Sequence, residues 1–149
     1  HKAIRRQRQM CIRDSIFTPH MKEMSRLTGI PVEDLREDRI QILKKFADGY
    51  QVTCVLKDSR TLIADKANEI CLNLTGNSAM AKAGSGDVLA GVIAGFMVQE
   101  KDTKKAARLG TYVHGLAGDL AKFEKGVYSV MARDLIEYIS KALMKLEDE

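Results

Sequence analysis

A short segment in the middle of the chain combines residues that bind phosphate with a carboxylate that can accept a proton. Residues 84–87 read Gly-Ser-Gly-Asp and stand directly before an apolar run typical of a helix. The first amides of a helix lack acceptors and lie at the positive end of its dipole, and glycines let a backbone approach a phosphate closely. The segment therefore predicts an anion-binding loop with Asp87 as a general base beside it. Ser85 and Asp87 are also good capping residues for a helix start, so a purely structural interpretation stays open.

Short apolar strands alternate with helices around this loop. β-Branched runs bounded by turn residues indicate strands, and apolar side chains at three- to five-residue steps indicate amphipathic helices. This alternation favours a layered α/β fold. Strands are predicted at 51–56, 61–64 and 69–73, and helices at 32–49, near 103–122 and near 131–146.

Two further local patterns lead to specific expectations. Thr18-Pro19 predicts a helix that opens with Thr18 as its cap and Pro19 in its first turn. Gly91 and Gly95 lie one turn apart in the helix that follows residues 84–87. Because glycine weakens a helix, this pair predicts close packing against a neighbour.

Length and composition suit one globular domain with a sizeable core. The chain has 149 residues, of which 45% are hydrophobic and 30% charged. No apolar run reaches the ~20 residues that a membrane helix needs, and the start lacks the apolar centre of a secretory signal. The three cysteines form no Cys-x-x-Cys pair, and Cys54 and Cys71 lie in apolar, strand-like runs. This favours buried thiols at these two positions, in a reducing cytoplasm, over metal or redox roles.

The positive net charge comes from the first residues alone. The net charge is +4, with 24 basic and 20 acidic side chains. Residues 1–15 hold five basic side chains and one acidic, which leaves 19 of each sign in the remainder. A neutral body predicts no nucleic-acid face. Residues 1–15 are interpreted as a foreign basic leader rather than a tail that binds an acidic partner.

Four segments carry a resemblance to a known family. Residues 77–89 read Asn-Ser-x-Met-Ala-Lys-x-Gly-Ser-Gly-Asp-Val-Leu, and residues 18–24 read Thr-Pro-His-x-x-Glu-Met. Residues 56–61 read Leu-Lys-Asp-Ser-Arg-Thr, and residues 112–119 read Tyr-Val-His-Gly-Leu-Ala-Gly-Asp. In this order they resemble the ADP/ATP-dependent NAD(P)H-hydrate dehydratases of the ribokinase-like superfamily. The resemblance defines a partial domain over residues 16–149.

The resemblance implies a three-layer α/β/α fold, of which this chain holds the C-terminal part. It implies the dehydration of NADHX or NADPHX, the hydrated nicotinamide cofactors, to NADH or NADPH. ADP or ATP would be the co-substrate, with Mg²⁺ bridging its phosphates. It further implies a cytoplasmic homo-oligomer in the full-length protein, without a nucleic-acid or membrane partner. Because family domains are nearly twice as long, we predict little or no turnover by these 149 residues alone.

The resemblance also assigns roles to individual residues. Asp87 matches the catalytic, substrate-binding carboxylate, and His20 matches a contact with the hydrated cofactor. The anion hole and nucleotide contacts match Gly84, Ser85, Gly86, Lys57, Asp58, Ser59, Arg60 and Thr61. Asn77 and Lys82 are further candidates, and no residue is assigned to a metal.

Local alternatives remain for several of these positions. His20 also fits an ordinary first-turn helix residue, Lys57 and Arg60 fit a solvated turn, and His114 fits core packing. Asp58 departs from the glycine of the family pattern, as Met-Lys at 21–22 departs from its Pro-Gly. Two other functions also remain open, a ribokinase-like kinase for a vitamin precursor or sugar and an inactive nucleotide-binding fragment.

Overall fold

The computed structural model describes residues 15–147. Within them the chain divides into two compact units, the first ending at Leu72 and the second beginning at Asn73. Each unit has its own hydrophobic core. The predicted leader lies outside the described residues except for Ser15, whose carbonyl oxygen accepts a hydrogen bond of 3.1 Å from the Thr53 amide.

The first unit is a four-stranded mixed sheet with three helices. The strands lie in the order β1-β2-β3-β4, with β1 parallel to β2 and the other two pairs antiparallel. Its elements are β1 (Ile16–Phe17), α1 (Met21–Thr28), α2 (Val32–Glu37), α3 (Arg39–Tyr50), β2 (Thr53–Leu56), β3 (Leu62–Ala64) and β4 (Ile70–Leu72). The three strands predicted after residue 50 are thereby confirmed, although each is shorter than predicted by one or two residues.

The core of the first unit forms between the central strands and the helices. All residues of β2 and β3 are buried, as their continuous apolar runs predict. Met24 of α1 and Leu43 of α3 are fully buried in the same cluster. Cys54 lies in β2 with no exposed surface, and burial raises the pKa of its thiol to about 12. Cys54 therefore packs as a small hydrophobic residue, as expected, whereas Cys71 in β4 is only half-buried, contrary to the prediction.

Two helix predictions in this unit were wrong, one in its capping residue and the other in its continuity. Thr18 is not the cap of α1, because His20 occupies the cap position and Glu23 completes a capping box with it. The single helix predicted over 32–49 is two helices, α2 and α3. They are separated at Asp38, whose backbone (φ −129°, ψ 36°) leaves the helical region.

The second unit is helical. After a short 3₁₀ helix it contains three longer helices, and the two predicted near 103–122 and 131–146 are confirmed. The elements are the 3₁₀ helix (Ser78–Met80), α4 (Ser85–Glu100), α5 (Thr103–Lys125) and α6 (Ala132–Glu147). The carboxylate of Asp102 caps α5 by accepting from the amides of Lys104 and Lys105. None of the helices in the described part of the chain is long and apolar enough to cross a membrane.

The closely packed glycines lie in α5, not in α4. The prediction for Gly91 and Gly95 was wrong, since a Cβ at either position would meet nothing within 4 Å among the described residues. A Cβ on Gly110 would lie 2.6 Å from Cγ1 of Ile93. A Cβ on Gly115 would meet the backbone and side chain of Thr75, and one on Gly118 would meet the side chain of Met80. Helix α5 can therefore approach its neighbours closely because it lacks side chains at these buried positions.

An ion pair fixes the start of α6. Asp134 is buried, and its Oδ2 accepts from the Met131 amide at 2.7 Å while its Oδ1 lies 2.6 Å from Nζ of Lys125. The hydrogen bond from Lys125 and that from Met131 hold the pKa of Asp134 below its ordinary value. The carboxylate thus ties the beginning of α6 to the end of α5.

Candidate functional site

The loop at 84–87 has the conformation that an anion-binding helix start requires. Gly84 is the N-cap of α4 and has a left-handed backbone (φ 87°, ψ −16°), which favours glycine. No side chain caps this helix within the described residues, so the capping interpretation of Ser85 and Asp87 is not realised. The positive end of α4 is left without a side-chain acceptor from that part of the protein.

Only some of the loop amides are available to a ligand. The Ser85 amide donates to the carbonyl of Lys82 at 3.2 Å, and the Asp87 amide donates to the carbonyl of Gly84 at 3.1 Å. The amides of Gly84 and Gly86 have no acceptor among residues 15–147. Unpaired amides at the start of a helix bind anions. Of the loop amides expected to donate hydrogen bonds to an anion, those of Gly84 and Gly86 therefore remain available.

The side chains of this segment divide into exposed and buried ones. Asp87 lies in the first turn of α4 and is exposed, as is Lys82 just before the loop. Ser85 is buried, with 8% of its surface exposed. An exposed carboxylate beside unpaired amides is the arrangement that the role of Asp87 as a base requires.

Asn77 has a structural part in holding the segment before the loop. Its Oδ1 accepts from the Ala79 amide at 2.9 Å. Its Nδ2 donates to the carbonyl of Gly118 at 3.0 Å and to Oδ1 of Asp119 at 2.8 Å. Asp119 also accepts from the Gly76 amide at 2.9 Å. The side chain of Asn77 thus uses its donors and its acceptor within the protein.

His114 lies on α5. It is 7% exposed, and its Nε2 has no hydrogen-bond partner among the described residues. Burial lowers the pKa of His114 to about 4, and a hydrogen bond to the backbone of Ser85 opposes that shift. The imidazole is therefore neutral at pH 7.

In the first unit, the structure brings His20 and Lys57 together around Glu23. His20 and Lys57 form a parallel bridge, and Nζ of Lys57 lies 3.8 Å from Oε2 of Glu23. The Glu23 amide donates to Nδ1 of His20 at 3.1 Å, and the His20 amide donates to Oε2 of Glu23 at 2.8 Å. The bond from the His20 backbone and the charge of Lys57 hold the pKa of Glu23 below its ordinary value. His20 thus serves as a helix cap while its ring remains half exposed.

The turn at 57–61 joins β2 to β3. Oδ2 of Asp58 lies 3.0 Å from Nη1 of Arg39, so the acid that replaces the family's glycine is paired with a cation from α3. Ser59 and Arg60 are exposed, and Thr61 is half-buried. The pair with Arg39 neutralises the charge of Asp58 within this turn.

A groove of about 380 Å³ lies beside α1 in the first unit, next to the residues around Glu23. One carboxylate and one guanidinium face a largely apolar wall there. The groove is lined by Phe17, Thr18, Pro19, Glu23, Arg26 and Leu27.

The candidate residues are thus distributed over both units. The first unit holds His20 and the turn at 57–61, and the second holds Asn77, Lys82 and the loop at 84–87. In residues 15–147 no group of three or more His, Cys, Asp or Glu side chains is arranged to hold a metal ion. A Mg²⁺ ion that binds with a nucleotide takes its ligands chiefly from phosphates and water. A loop that offers amides to the phosphates therefore fits a Mg²⁺–nucleotide complex without a set of protein ligands for the metal.

Comparison with known proteins identifies the family. A family model described as NAD(P)H-hydrate dehydratase matches residues 2–141. The chain belongs to the NAD(P)H-hydrate dehydratase family. That match begins inside residues 1–15, and the boundary at residue 15 stays a prediction.

Individual relatives and solved structures agree with this membership. The chain is 44% identical over 134 residues to the bifunctional NAD(P)H-hydrate repair enzyme Nnr of Moorella thermoacetica, covering 90% of this chain and 25% of that protein. It matches the crystal structure of the ADP/ATP-dependent NAD(P)H-hydrate dehydratase from Bacillus subtilis, co-crystallized with ATP/Mg²⁺, with a TM-score of 0.85 and 35% identity. That match covers 89% of this chain and 48% of the other. The chain therefore spans between a quarter and a half of the length of these relatives.

The predicted fold class is confirmed. Arabidopsis thaliana ribokinase, complexed with ribose and ATP, matches with a TM-score of 0.52 at 19% identity, over 84% of this chain and 40% of that one. Such a likeness shows the fold alone. With the dehydratase structure, it places the chain in the ribokinase-like α/β fold.

Sequence reasoning missed two contacts of the site. Arg39 was not a candidate, because its partner Asp58 lies 19 residues away and no local pattern joins them. His114 was interpreted as packing, and its contact with the Ser85 backbone was not expected. The resemblance of residues 112–119 to the family pattern was the one available signal for His114.

Proposed function

We propose that this chain is the C-terminal part of an ADP/ATP-dependent NAD(P)H-hydrate dehydratase and that it carries the phosphoryl-transfer loop of that enzyme. The observation that carries the proposal is the start of α4. There the amides of Gly84 and Gly86 have no acceptor within residues 15–147, and Asp87 is exposed beside them. Membership of the dehydratase family favours this reaction over that of a vitamin or sugar kinase.

In the proposed reaction, Asp87 acts as the base. Its carboxylate accepts the proton of the hydroxyl on the hydrated nicotinamide ring while the hydroxyl oxygen attacks the terminal phosphorus of ADP or ATP. The bond from that phosphorus to the bridging oxygen breaks, and the nucleotide leaves with one phosphate fewer. The ring then expels phosphate and loses a proton, which restores NADH or NADPH. Phosphate is a far better leaving group than hydroxide, which explains why a dehydration uses a nucleotide.

The loop stabilises the transferring group in this proposal. Charge accumulates on the phosphoryl oxygens in the transition state, and fixed amides stabilise it without reorganising. Gly84 and Gly86 are the proposed donors, and Lys82 is close enough along the chain to add a positive charge. Mg²⁺ bound with the nucleotide would neutralise further phosphate charge.

Further contacts are proposed for residues of the first unit, as the family resemblance implies. The turn at 57–61 would bind the nucleotide, with the charge of Asp58 neutralised by Arg39. His20 would contact the hydrated cofactor through the exposed part of its ring, since Nδ1 is used as the helix cap. The full-length protein is proposed to act in the cytoplasm as a homo-oligomer, as the family resemblance implies.

The substitution Asp87→Asn tests the role of the carboxylate. Asparagine keeps the size of the side chain but cannot accept the proton, so turnover of NADHX with ADP or ATP should fall by ~10² or more. Nucleotide affinity should stay within about threefold, because the amide donors are unchanged. The assay follows the absorbance of restored NADH in the full-length protein. Lys122→Gln, on an exposed turn of α5, is the matched control. Retained turnover in Asp87→Asn would remove Asp87 from the proposed role.

An inactive nucleotide-binding fragment is the second candidate, favoured by the length of the chain. The match covers 48% of the Bacillus subtilis dehydratase chain. The same assay on the 149-residue chain separates the two, since a fragment binds ATP without restoring NADH. Steady-state turnover equal to that of a full-length relative would rule the fragment out.

A further inference from the structure

The segment that leads towards the loop at 84–87 lies along α5 in an irregular conformation. Residues 73–77 connect β4 to the 3₁₀ helix, and the hydroxyl of Thr75 donates to the carbonyl of Tyr112 on α5 at 3.0 Å. Gly76 has a left-handed backbone (φ 97°), and a Cβ there would lie 3.2 Å from Sδ of Met80. Because no ladder of helix or sheet hydrogen bonds fixes this stretch, its polar groups depend on acceptors and donors supplied by α5.

Asp119 of α5 supplies an acceptor to each of two consecutive residues in this segment. Its Oδ2 accepts from the Gly76 amide at 2.9 Å, and its Oδ1 accepts from Nδ2 of Asn77 at 2.8 Å. The same Nδ2 donates to the carbonyl of Gly118 at 3.0 Å. Asparagine at position 119 would offer one acceptor oxygen to the two donors, whereas the carboxylate satisfies both.

A series of backbone hydrogen bonds continues from Asn77 to the loop. The amide of Met80 donates to the carbonyl of Asn77 at 3.1 Å, and the amide of Lys82 donates to the carbonyl of Met80 at 2.8 Å. The amide of Ser85 then donates to the carbonyl of Lys82 at 3.2 Å. The backbone between Asn77 and α4 is therefore a run of tight turns, and its position follows from that of Asn77.

The two loop amides without an acceptor in residues 15–147 differ in what holds them. The Gly86 amide lies inside the first turn of α4, so the helix fixes its direction. The Gly84 amide belongs to the peptide before the helix, and the φ angle of Gly84 (87°) sets the rotation of that peptide relative to α4. Glycine permits a wide range of φ, so the helix alone does not determine the direction of the Gly84 amide. The turns that lead back to Asp119 provide the further restraint.

We propose that Asp119 is a positioning residue, which fixes the segment before the loop so that the Gly84 amide faces the phosphate of the bound nucleotide. This inference rests on the proposed function for the identity of the anion. Asp119 transfers no proton in this role and acts only through Gly76 and Asn77.

The test compares Asp119→Asn with Glu124→Gln in the full-length protein labelled with ¹⁵N-glycine. Asparagine keeps the size of the side chain but leaves either the Gly76 amide or Nδ2 of Asn77 facing an NH₂ group. Glu124→Gln makes the same chemical change five residues later on α5, where the carboxylate accepts from two side chains of α6. The two variants therefore differ in which segment loses its acceptor.

In the unsubstituted protein, ADP or ATP should shift the amide resonances of both Gly84 and Gly86. Asp119→Asn should weaken the affinity for either nucleotide about tenfold, which is the effect of one lost hydrogen bond. It should strongly reduce the Gly84 shift and leave the Gly86 shift unchanged, a difference that a general loss of stability would not produce. Glu124→Gln should bind within about twofold of the unsubstituted protein and keep both shifts.

Wild-type affinity with an unchanged Gly84 shift in folded Asp119→Asn would overturn the inference. Equal losses of the Gly84 and Gly86 shifts would overturn it as well, as would an unsubstituted protein whose Gly84 resonance responds to neither nucleotide. If Asp119→Asn does not fold, Asn77→Ala decides the question, because it removes one donor and leaves the carboxylate to the Gly76 amide. An unchanged Gly84 shift in Asn77→Ala would then refute the positioning role.

The dehydratase assay separates this inference from the proposed function. A protein with an Asp119-dependent Gly84 shift that does not restore NADH from NADHX would refute the proposed function alone. A protein that restores NADH, but whose Gly84 shift does not depend on Asp119, would refute the inference alone.

Discussion

Acid should destabilise the protein through the buried imidazole of His114. Burial lowers the pKa of His114 from 6.5 to about 4, against the smaller opposing effect of the Ser85 hydrogen bond. As the pH falls below 6.5, the unfolded chain takes up a proton on this side chain, whereas the folded chain does not until about pH 4. Stability falls with pH wherever the unfolded state binds more protons. Titration of His114 therefore destabilises the folded state as the pH falls from 6.5 to about 4, and it has no effect on stability at higher pH.

The size of the effect follows from the two pKa values. Their full difference corresponds to about 3 kcal/mol, and about 2 kcal/mol of it is lost by about pH 5. No charged group contributes to the shift of His114, so this loss should depend little on salt.

Urea unfolding of the wild type, His114→Gln and Thr111→Val between about pH 7.5 and about pH 4.5 measures this loss of stability. The difference in unfolding free energy between the wild type and His114→Gln should move by about 2 kcal/mol in favour of the variant on going to about pH 5, because glutamine does not titrate. The control is Thr111→Val, which removes a buried hydroxyl of α5 that donates to the Ala107 carbonyl at 2.7 Å. Its stability should run parallel to that of the wild type at all pH values, since it leaves the imidazole in place. A constant difference between wild type and His114→Gln would refute the reasoning, because it would mean that His114 takes up its proton equally in both states.

Three other substitutions in the second unit have expected costs. Gly115→Ala should destabilise the protein by about 2 kcal/mol net in thermal or urea unfolding, because the new Cβ meets the backbone of Thr75, which cannot yield. Gly118→Ala should lie within about 1 kcal/mol of wild type, since its Cβ meets the flexible side chain of Met80 and alanine favours the helix. If both cost the same, rigidity of the neighbour does not decide the outcome. Asp119→Ala should lower the free energy of unfolding by about 2 kcal/mol, because it removes the carboxylate that accepts hydrogen bonds from the Gly76 amide and the Asn77 side chain. An unchanged urea midpoint for this last variant would contradict its role as an anchor.

Much of the fold could be predicted because its signals are local. The strands β2 and β3 are runs of consecutive apolar residues, and their burial on both faces is what such runs predict. The loop at 84–87 was found for the same reason, since glycines and an acid at a helix start are a local pattern. Its left-handed Gly84 confirms why a glycine stands there.

The errors came from choices between equally good local signals. Thr18 and His20 both precede α1, and threonine is the more usual cap. His20 prevails because Glu23 is three residues after it and closes the reciprocal pair of hydrogen bonds. Gly91 and Gly95 have the spacing of a packing motif, yet spacing alone does not say which helix has a neighbour at that distance.

The contacts of the candidate site that were missed are non-local. Asp58 stands in a turn and Arg39 starts a helix, and only the folded first unit brings them to 3.0 Å. His114 and Ser85 are 29 residues apart on different helices. A sequence pattern predicts the helix or strand in which a residue lies. The residues that it contacts on a neighbouring helix depend on the angle and distance at which the two helices pack.

The left-handed glycine that opens α4 also brings the loop into contact with α6. A Cβ at Gly84 would lie 3.2 Å from Cβ of Ala132, the first residue of α6. The absence of a side chain at Gly84 thus leaves the space in which the start of α6 packs, and Asp134 holds that helix two residues later. The loop therefore acquires this wall only when the start of α6 has packed beside it. We expect the ability to hold an anion to appear late in folding, as a property of the completed second unit.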